Sequence, residues 1–368
     1  MFISSTTFFN RKLRLARLQG ILESAYSTTP VPVSPFLLQR RDGFLSNHIK
    51  NHVLLVGSGK MAVEYAKVLS AIKQKYICVG RGEASCENFF KQTGIRPVSG
   101  GIHTYLKNIG EVPAKGIVAV PVEQLYPVTK ALLHHGLNEL LVEKPGGMDA
   151  GEIKELGNRA KMKQANVYVA YNRRFYASVE KIKEMVRQEG GVLSFHFDFT
   201  ELSHSISTSA IHDKVKRSWL LANSSHIIDT AFYLGGNPIK LQAKISGKDA
   251  LNWHPEAAIF TGCGETGEGA LFSYNANWIS PGRWGIQVNT EKSKLLLQPV
   301  EKLFIQKRGS FEVEQIALNN HLDLQFKPGL YNMVLEFLHS SHRNLVTIGE
   351  QYEHAINWYE PIADGGTF

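Results

Sequence analysis

A short glycine-containing segment has the residue types and spacing that bind a phosphate group. The apolar run Val53–Val56 leads into a loop made of Gly57, Ser58, Gly59, Lys60, Met61 and Ala62. In this G-x-G-x-x-A pattern the first glycine makes a tight turn, the second lets a pyrophosphate approach the backbone, and the small residue lets the helix pack on the strand. Backbone N–H groups at the helix N-terminus then face the phosphates. Because the loop follows an apolar strand and opens a helix, it predicts a dinucleotide site rather than a glycine turn kept only for packing.

The end of the second apolar run indicates which ribose group is bound. NAD-preferring sites place an acidic residue about 20 residues after the glycine loop. This chain has Gly80-Arg81-Gly82-Glu83 there. A guanidinium is suited to a 2′-phosphate, so Arg81 favours NADP, while the neighbouring Glu83 leaves NAD open. A solvated loop arginine is the alternative interpretation.

A second segment suited to chemistry is Glu143-Lys144-Pro145, which directly follows the apolar run Leu140–Val142. Ligands of doubly wound sheets lie beyond the carboxyl ends of the strands. A lysine between an acid and a proline at such a strand end is restricted in direction, unlike a lysine on a helix surface. We therefore predict that Glu143 and Lys144 face a ligand.

Two further segments carry arginines suited to an anionic ligand. Arg173 and Arg174 follow the apolar run Val167–Ala170. We predict that one of them meets a substrate carboxylate or phosphate and that the other forms a structural ion pair; both are kept as substrate candidates. Arg283 and Trp284 offer a guanidinium and an indole to the phosphate and ring of a nucleotide sugar. A packed tryptophan beside a solvated arginine is the alternative.

The elements that must position these residues follow two patterns. Residues 51–172 alternate apolar runs with amphipathic helical segments. The runs are Val53–Val56, Tyr76–Val79, Gly116–Val120, Leu140–Val142 and Val167–Ala170. The helices predicted between them are Met61–Lys73, Val122–His134 and Ala150–Gln164. Strand–helix alternation with fully apolar strands predicts an α/β domain built on a doubly wound parallel sheet.

Residues 173–368 show consecutive strand-like segments joined by glycine-containing turns, a pattern typical of an open, mostly antiparallel sheet. The predicted strands are Gly191–Thr200, Leu241–Ser246, Ala257–Cys263, Gly269–Tyr274, Trp284–Thr290, Lys294–Pro299, Leu303–Lys307 and Phe311–Ile316. The predicted helices are Trp219–Leu234, Tyr331–His339 and Glu350–Trp358, and the last two are candidates to return to the first domain.

The composition predicts a two-domain globular protein. The chain has 368 residues, of which 43% are hydrophobic and 20% charged. No apolar run approaches the roughly 18 residues that a membrane span needs. Cys78, Cys86 and Cys263 lack metal-ligand spacing, which predicts no structural metal and a reducing, cytoplasmic compartment.

The net charge of +8 is concentrated at the N-terminus. Residues 1–50 contribute +5, so only +3 is left for the other 318 residues. This distribution argues against a nucleic-acid-binding face on the globular part. Residues 11–26 combine helical spacing of leucines with basic residues, followed by a proline-rich linker. They predict a docked amphipathic helix or, alternatively, an organellar presequence or a membrane-surface anchor.

Several of these segments, in their order, resemble the Gfo/Idh/MocA oxidoreductase family across residues 52–368. The matching segments are the glycine loop, Val120-Pro121, Glu143-Lys144-Pro145, Tyr171-Asn172-Arg173-Arg174-Phe175 and Ser225-His226-Ile227-Ile228-Asp229. The resemblance implies a Rossmann domain followed by an α/β domain whose open sheet forms a homo-oligomer interface. Active members move a hydride between a nicotinamide cofactor, NAD or NADP, and a carbinol carbon of a sugar, cyclitol or sugar nucleotide.

The resemblance also implies roles for individual residues. Lys144 resembles the family's catalytic lysine, which touches the nicotinamide ribose and the reacting hydroxyl, and Glu143 resembles its cofactor-side neighbour. Pro121 belongs, by the same match, to the cofactor site. His226 resembles the histidine that accepts or donates the proton; an imidazole suits this role because it titrates near neutral pH, while the ammonium group lowers the pKa of the hydroxyl.

One position departs from the family pattern. Active members commonly carry an aspartate four residues before the histidine, where this chain has Ala222. The following Asn223 can hydrogen-bond a sugar hydroxyl but holds no charge. Two hypotheses follow: an NAD(P)-dependent sugar oxidoreductase that uses Lys144 and His226, and a catalytically silent nucleotide-binding sensor or regulator of the same fold.

Overall fold

The computed structural model describes residues 51–108, 112–339 and 342–367. The basic extension predicted for residues 1–50, with its helix or presequence at residues 11–26, lies outside the described residues. None of the helices in the described part is both long enough and apolar enough to span a bilayer.

The strands of the described residues form two sheets. In chain order they are β1 (Val53–Val56), β2 (Tyr76–Val79), β3 (Lys115–Val118), β4 (Glu139–Glu143), β5 (Asn166–Ala170), β6 (Ser194–Asp198), β7 (Pro238–Ser246), β8 (Ile259–Thr266), β9 (Leu271–Asn277), β10 (Gly285–Asn289), β11 (Ser293–Leu297), β12 (Phe304–Lys307), β13 (Glu314–Gln315) and β14 (Val346–Thr347).

The first sheet is the predicted doubly wound parallel sheet. Its strand order is β14-β5-β4-β3-β1-β2, in which β1 to β5 are mutually parallel. β1 is buried along its whole length, as expected when helices cover both faces. The C-terminal part of the chain returns to this sheet, because β14 pairs antiparallel with β5.

The second sheet is open and mostly antiparallel, as predicted. Its order is β13-β12-β11-β10-β6-β9-β8-β7, and only the β6–β9 pair is parallel. The burial of β9 alternates along the strand, so one face packs on the core and the other is accessible. The predicted strand Phe311–Ile316 is wrong in extent, because only the two residues of β13 pair at the sheet edge.

The helices that cover the first sheet are α1 (Lys60–Ala71), α2 (Glu83–Thr93), α3 (Gly101–Asn108), α4 (Val122–His134) and α5 (Ala150–Lys163). The sequence pattern predicts neither α2 nor α3. In α2 only Cys86 and Phe89 are buried, so its apolar residues are too few to produce a helical periodicity.

The remaining helices surround the second sheet or return to the first. They are α6 (Ala177–Gln188), α7 (Ser203–Ser207), α8 (Asp213–Arg217), α9 (Ser225–Gly235), α10 (His321–Gln325), α11 (Leu330–His339), α12 (Ile348–His354) and α13 (Glu360–Asp364). Five-residue π-helical segments precede α9 and follow α12, at Leu220–Ser224 and Ala355–Tyr359. α9 lies on the inner face of the second sheet, where Phe232 meets the rings of Phe195 and Phe197.

Candidate active site

Glycine is suited to the two positions of the predicted phosphate-binding loop for different structural reasons. Gly57 has a φ of +119°, and a Cβ at this position would lie 2.1 Å from the carbonyl oxygen of Ala119, so only glycine fits. At Gly59 a Cβ would meet nothing within 4 Å. Gly59 also precedes α1 without any side-chain cap, which leaves the first-turn N–H groups of the helix for an outside acceptor. This open space in front of uncapped amides fits a dinucleotide pyrophosphate.

The other predicted cofactor residues lie along the same carboxyl edge of the sheet. The Ser58 hydroxyl is buried and hydrogen-bonded to the Ser85 hydroxyl at 2.8 Å, so its side chain ties the loop to α2. Lys60 and Met61 begin α1, and Pro121 directly precedes α4.

Arg81 follows β2 with an exposed side chain that extends toward α4. Its Nη1 lies 3.4 Å from the Gln124 side-chain oxygen. Among the described residues it forms no ion pair, so its charge is available to a ligand at this edge.

We expect Gly59→Ser to weaken dinucleotide binding while the fold stays intact. A serine caps a helix N-terminus well, and its side chain would occupy the open space and take up an amide that would otherwise bind phosphate. The loss of one such hydrogen bond predicts about tenfold weaker binding or more. Fluorescence titration with reduced cofactor measures the affinity, and thermal unfolding measures the stability. Unchanged affinity in a stable variant would contradict this placement of the pyrophosphate.

Lys144 lies where the two sheets come together. It directly follows β4, and its ammonium donates to the main-chain carbonyl oxygen of Ala222 in the π-helical segment. The adjacent Glu143 is held from the other side, because the buried Tyr65 hydroxyl of α1 donates to its carboxylate at 2.7 Å. The Glu-Lys pair is therefore anchored by hydrogen bonds to two separate helical segments.

The C-terminal helices help to fix this centre. The buried Gln351 side chain donates to the Pro145 carbonyl oxygen and to the Tyr171 hydroxyl, both at 3.0 Å. The Tyr171 ring in turn lies edge-on to the His226 imidazole, with 5.7 Å between ring centroids. These contacts bring His226, at the start of α9, into the same centre as Lys144.

Several positively charged side chains lie near this centre. Loss of solvation in the cleft lowers the pKa of Lys144 to about 8, with Arg173 and Lys327 acting in the same direction and Glu143 and Glu201 opposing it. Lys327 comes from the loop between α10 and α11. Lys327 is not recognisable as a site residue from the sequence, because no spacing relates it to the other residues.

His226 lies in an environment that disfavours its protonation. Burial lowers its pKa well below the usual 6.5, and the charges of Lys144, Arg173 and Lys327 lower it further. Its Nδ1 is buried and has no hydrogen-bond partner among the described residues. The carboxylate that would stabilise an imidazolium is absent at Ala222.

The two arginines after β5 have separate surroundings. They lie in a one-turn 3-10 helix, Asn172–Phe175. Arg174 forms a bidentate ion pair with the fully buried Asp229, at 2.8 and 2.6 Å. Its geometry is that of the structural ion pair predicted for one of the two arginines. The Arg173 guanidinium instead stacks on Trp284, 4.4 Å from the ring centroid, and its Nε is buried without a partner among the described residues.

A cavity of about 550 Å³ opens beside this centre. Arg283 and Trp284 line it, together with Glu201 and residues of α7. Arg283 and Trp284 thus lie on the cavity wall, and Arg173 stacks on the ring of Trp284. Trp284 lies just before β10 rather than within it as predicted, because the strand begins at Gly285.

The turn that contains Ala222 differs from the α-helical turn that the predicted helix Trp219–Leu234 would give. It is π-helical, Leu220–Ser224, and π-helical turns are frequent at functional sites. Asn223, predicted to bind substrate, donates instead to the carboxylate of Glu201 at 3.0 and 3.2 Å. Glu201 was missed from the sequence, where it follows a strand without any recognisable spacing to Lys144 or His226.

Several solved structures have a similar fold. An oxidoreductase from Agrobacterium radiobacter, in complex with NAD+, L-tartaric acid and magnesium, is 13% identical, with a TM-score of 0.70 over 87% of this chain and 98% of that one. The UDP-N-acetylglucosamine 3-dehydrogenase GnnA from Acidithiobacillus ferrooxidans is 14% identical, with a TM-score of 0.66 over 86% and 97%. A levoglucosan dehydrogenase in complex with NADH and L-sorbose is 15% identical, with a TM-score of 0.68 over 86% and 98%. At these identities the likeness is one of fold.

Sequence comparison identifies the nucleotide-binding domain. No curated protein sequence matches the chain. A family model does match, described as an oxidoreductase family with an NAD-binding Rossmann fold, and it covers residues 51–171. This range contains the glycine loop, the β4 strand and Lys144. Residues 51–171 of the chain therefore match the Gfo/Idh/MocA family of oxidoreductases with an NAD-binding Rossmann fold.

Proposed function

We propose that this protein is an NAD(P)-dependent oxidoreductase that acts on a CH–OH group of a sugar or sugar nucleotide. The observation that carries the proposal is the position of Lys144. Its ammonium lies at the carboxyl edge of the nucleotide-binding sheet, held by the Ala222 carbonyl oxygen, and at the same edge as the open phosphate loop. A cation fixed there stabilises the alkoxide character that develops on a reacting hydroxyl.

The residues of the nucleotide-binding domain define what holds the cofactor. The N–H groups beginning at Gly59 bind the pyrophosphate, Glu143 and Lys144 lie on the nicotinamide side, and Pro121 borders the cleft. When bound, the nicotinamide supplies the hydride acceptor or donor. The chain itself supplies position and charge: Lys144 orients and polarises the hydroxyl, and His226 lines the reacting centre as the predicted proton acceptor or donor.

The substrate is proposed to carry a negative charge. The exposed Arg283 and Trp284 line the cavity. Arg173 stacks on Trp284 and forms no ion pair among the described residues. A guanidinium with a buried, unpartnered Nε binds a carboxylate or phosphate well. The phosphate groups of a nucleotide sugar or the carboxylate of a sugar acid meet this requirement.

The cofactor preference is proposed to be NADP, because Arg81 occupies the position of the ribose-binding acid. We expect Arg81→Ala to weaken NADPH binding by about 1.5–3 kcal/mol, the range for a hydrogen bond to a charged group, and to leave NADH binding nearly unchanged. Fluorescence titration with both cofactors measures this, and Arg96→Ala, an exposed arginine of the same domain, is the matched control. Equal losses for both cofactors would place Arg81 outside the ribose site.

The direct test of function is a turnover screen. The purified protein is incubated with NAD or NADP and with pairs of substrates that differ in one charged group, such as glucose with glucuronate and UDP-glucose with UDP-glucuronate. Absorbance of the reduced cofactor reports turnover, and we expect it with a charged member of a pair. Cofactor binding without turnover of any sugar would contradict the proposal.

A catalytically silent sensor remains the second candidate. It is favoured by Ala222, which removes the expected carboxylate, and by the Nδ1 of His226, which has no hydrogen-bond partner in the described part of the chain. A sensor of this kind binds NAD(H) or NADP(H) and turns over no substrate, so the same screen separates the two candidates.

The open face of the second sheet is proposed as the homo-oligomer interface. Along β9 the outward side chains are exposed, among them Leu271, which is 62% exposed. Light scattering of the purified chain measures the oligomeric state.

The cysteine pattern supports our proposal of a cytoplasmic location, with an organellar one as the alternative if residues 1–26 are a presequence.

A further inference from the structure

Glu201 places a carboxylate beside the turn from which the expected aspartate is missing. It lies on the loop between β6 and α7 and is only 8% exposed. One carboxylate oxygen accepts from the Ser224 hydroxyl at 2.7 Å and from the Asn223 amide at 3.0 Å. Both donors belong to the same π-helical segment as Ala222. A carboxylate is therefore present beside this turn, on the loop that follows β6, although position 222 itself is an alanine.

Glu201 also lines a cavity and interacts electrostatically with Lys144. It lines the 550 Å³ cavity, on whose wall Arg283 and Trp284 lie. Glu201 and Lys144 act on each other's ionisation, the carboxylate favouring the ammonium form and the ammonium favouring the carboxylate. No ion pair engages Glu201 among the described residues, so its charge is not neutralised by direct contact with a cation.

The nearby positive charge disfavours a protonated His226 and favours an ionised Glu201. An imidazolium at His226 would be a further cation beside Lys144, Arg173 and Lys327, whereas the Lys144 ammonium stabilises the Glu201 carboxylate. Burial raises the pKa of Glu201 above its usual 4.5, and the hydrogen bonds from Ser224 and Asn223 act against this rise. A carboxylate with a raised pKa is a better general base than an ordinary one.

We propose, on the basis of the function proposed above, that Glu201 is the general base of this site and takes the hydroxyl proton in place of a histidine–aspartate pair. In the oxidation direction the C–H bond breaks and its electron pair leaves as hydride to the cofactor of the proposed activity. The O–H bond breaks with transfer of the proton to the Glu201 carboxylate, and the carbon becomes a carbonyl. Lys144 stabilises the oxygen during this change, and protonated Glu201 releases its proton through the cavity.

This assignment predicts a specific pH dependence. The ionised carboxylate is the active base, so oxidation falls as the pH decreases through the pKa of Glu201, and this acidic limb lies above pH 4.5 because the pKa is raised. Glu201→Gln removes the base but keeps an oxygen acceptor for Ser224 and Asn223. We expect kcat to fall by about 10²–10⁴-fold, with KM changed only a few-fold and the acidic limb lost.

A second variant tests the same base without removing it. Ser224→Ala deletes the hydroxyl that donates to Glu201 at 2.7 Å, and the serine side chain is fully buried, so little else changes. Because this hydrogen bond lowers the pKa of Glu201, its loss should move the acidic limb to higher pH. His226→Asn should reduce kcat but keep the limb at its original position.

The experiment compares kcat, KM and their pH profiles for the full-length native protein and the three variants, with the substrate found in the screen. Circular dichroism and cofactor titration confirm that each variant is folded. An acidic limb that persists in Glu201→Gln, or that disappears in His226→Asn, would overturn the assignment of Glu201 and leave the proposed function standing. A native protein that binds cofactor but oxidises no member of the substrate pairs would remove the proposed function and this assignment together.

Discussion

Replacing Lys144 by methionine should reduce turnover by about 10³-fold, the range seen when a fixed group that stabilises developing charge is removed. Methionine keeps the length of the side chain and loses only the charge and its donors. The ammonium acts mainly on the oxygen as it becomes negative, so binding of reduced cofactor should stay within about tenfold of the native protein. Steady-state kinetics and fluorescence titration measure the two quantities on one preparation.

The control for this prediction is Lys161→Met, because Lys161 is an exposed lysine in the last turn of α5. It should leave both turnover and cofactor affinity unchanged. If Lys144→Met retained turnover near the native value, Lys144 would have no part in the chemistry, and its hydrogen bond to Ala222 would be structural only.

Removing the carboxylate of Asp229 should cause the largest loss of stability of any substitution considered. Asp229 is fully buried, and Arg174, its bidentate partner, is 11% exposed in its side chain. Asp229→Ala leaves the guanidinium buried without its counter-ion, which costs about 3–5 kcal/mol of the free energy of unfolding. The Arg174 guanidinium also stacks on Tyr233, 4.6 Å from the ring centroid, so it cannot leave for solvent without losing that contact. Urea unfolding followed by circular dichroism measures the loss.

Two further variants show that the loss comes from the unpaired buried charge. The double variant Arg174→Met with Asp229→Leu removes both charges and should be considerably more stable than Asp229→Ala, since an apolar pair of similar volume replaces a buried ion pair at little cost. Glu291→Ala breaks the exposed ion pair with Arg308, where the side chains are 70% and 75% exposed, and should cost less than about 1 kcal/mol. Equal losses in Asp229→Ala and Glu291→Ala would contradict this account.

The sequence by itself determined the elements and residues whose signal is local. Gly57 and β1 could be located from the sequence because their signal spans only a few consecutive residues. That signal is an apolar strand, then a glycine with positive φ, then a helix. Lys144 was identified in the same way, by its position at the end of the apolar β4 strand. The alternation of the second domain likewise indicated an open antiparallel sheet, because side chains of a strand with one buried face alternate with period two.

The tertiary structure decided which groups meet. Arg173 and Arg174 are indistinguishable in sequence. Only the position of Asp229 on α9 separates the arginine that forms an ion pair from the one that stacks on Trp284. Glu201 accepts a hydrogen bond from Asn223, which is 22 positions away in the chain, and it interacts electrostatically with Lys144, which follows a strand of the other sheet. No sequence periodicity predicts contacts of this kind. A carboxylate missing from one helical turn can be replaced by one from any element that the fold brings within hydrogen-bond distance. The sequence therefore shows that Ala222 stands where an aspartate is expected, but only the tertiary structure shows that Glu201 lies beside the same turn.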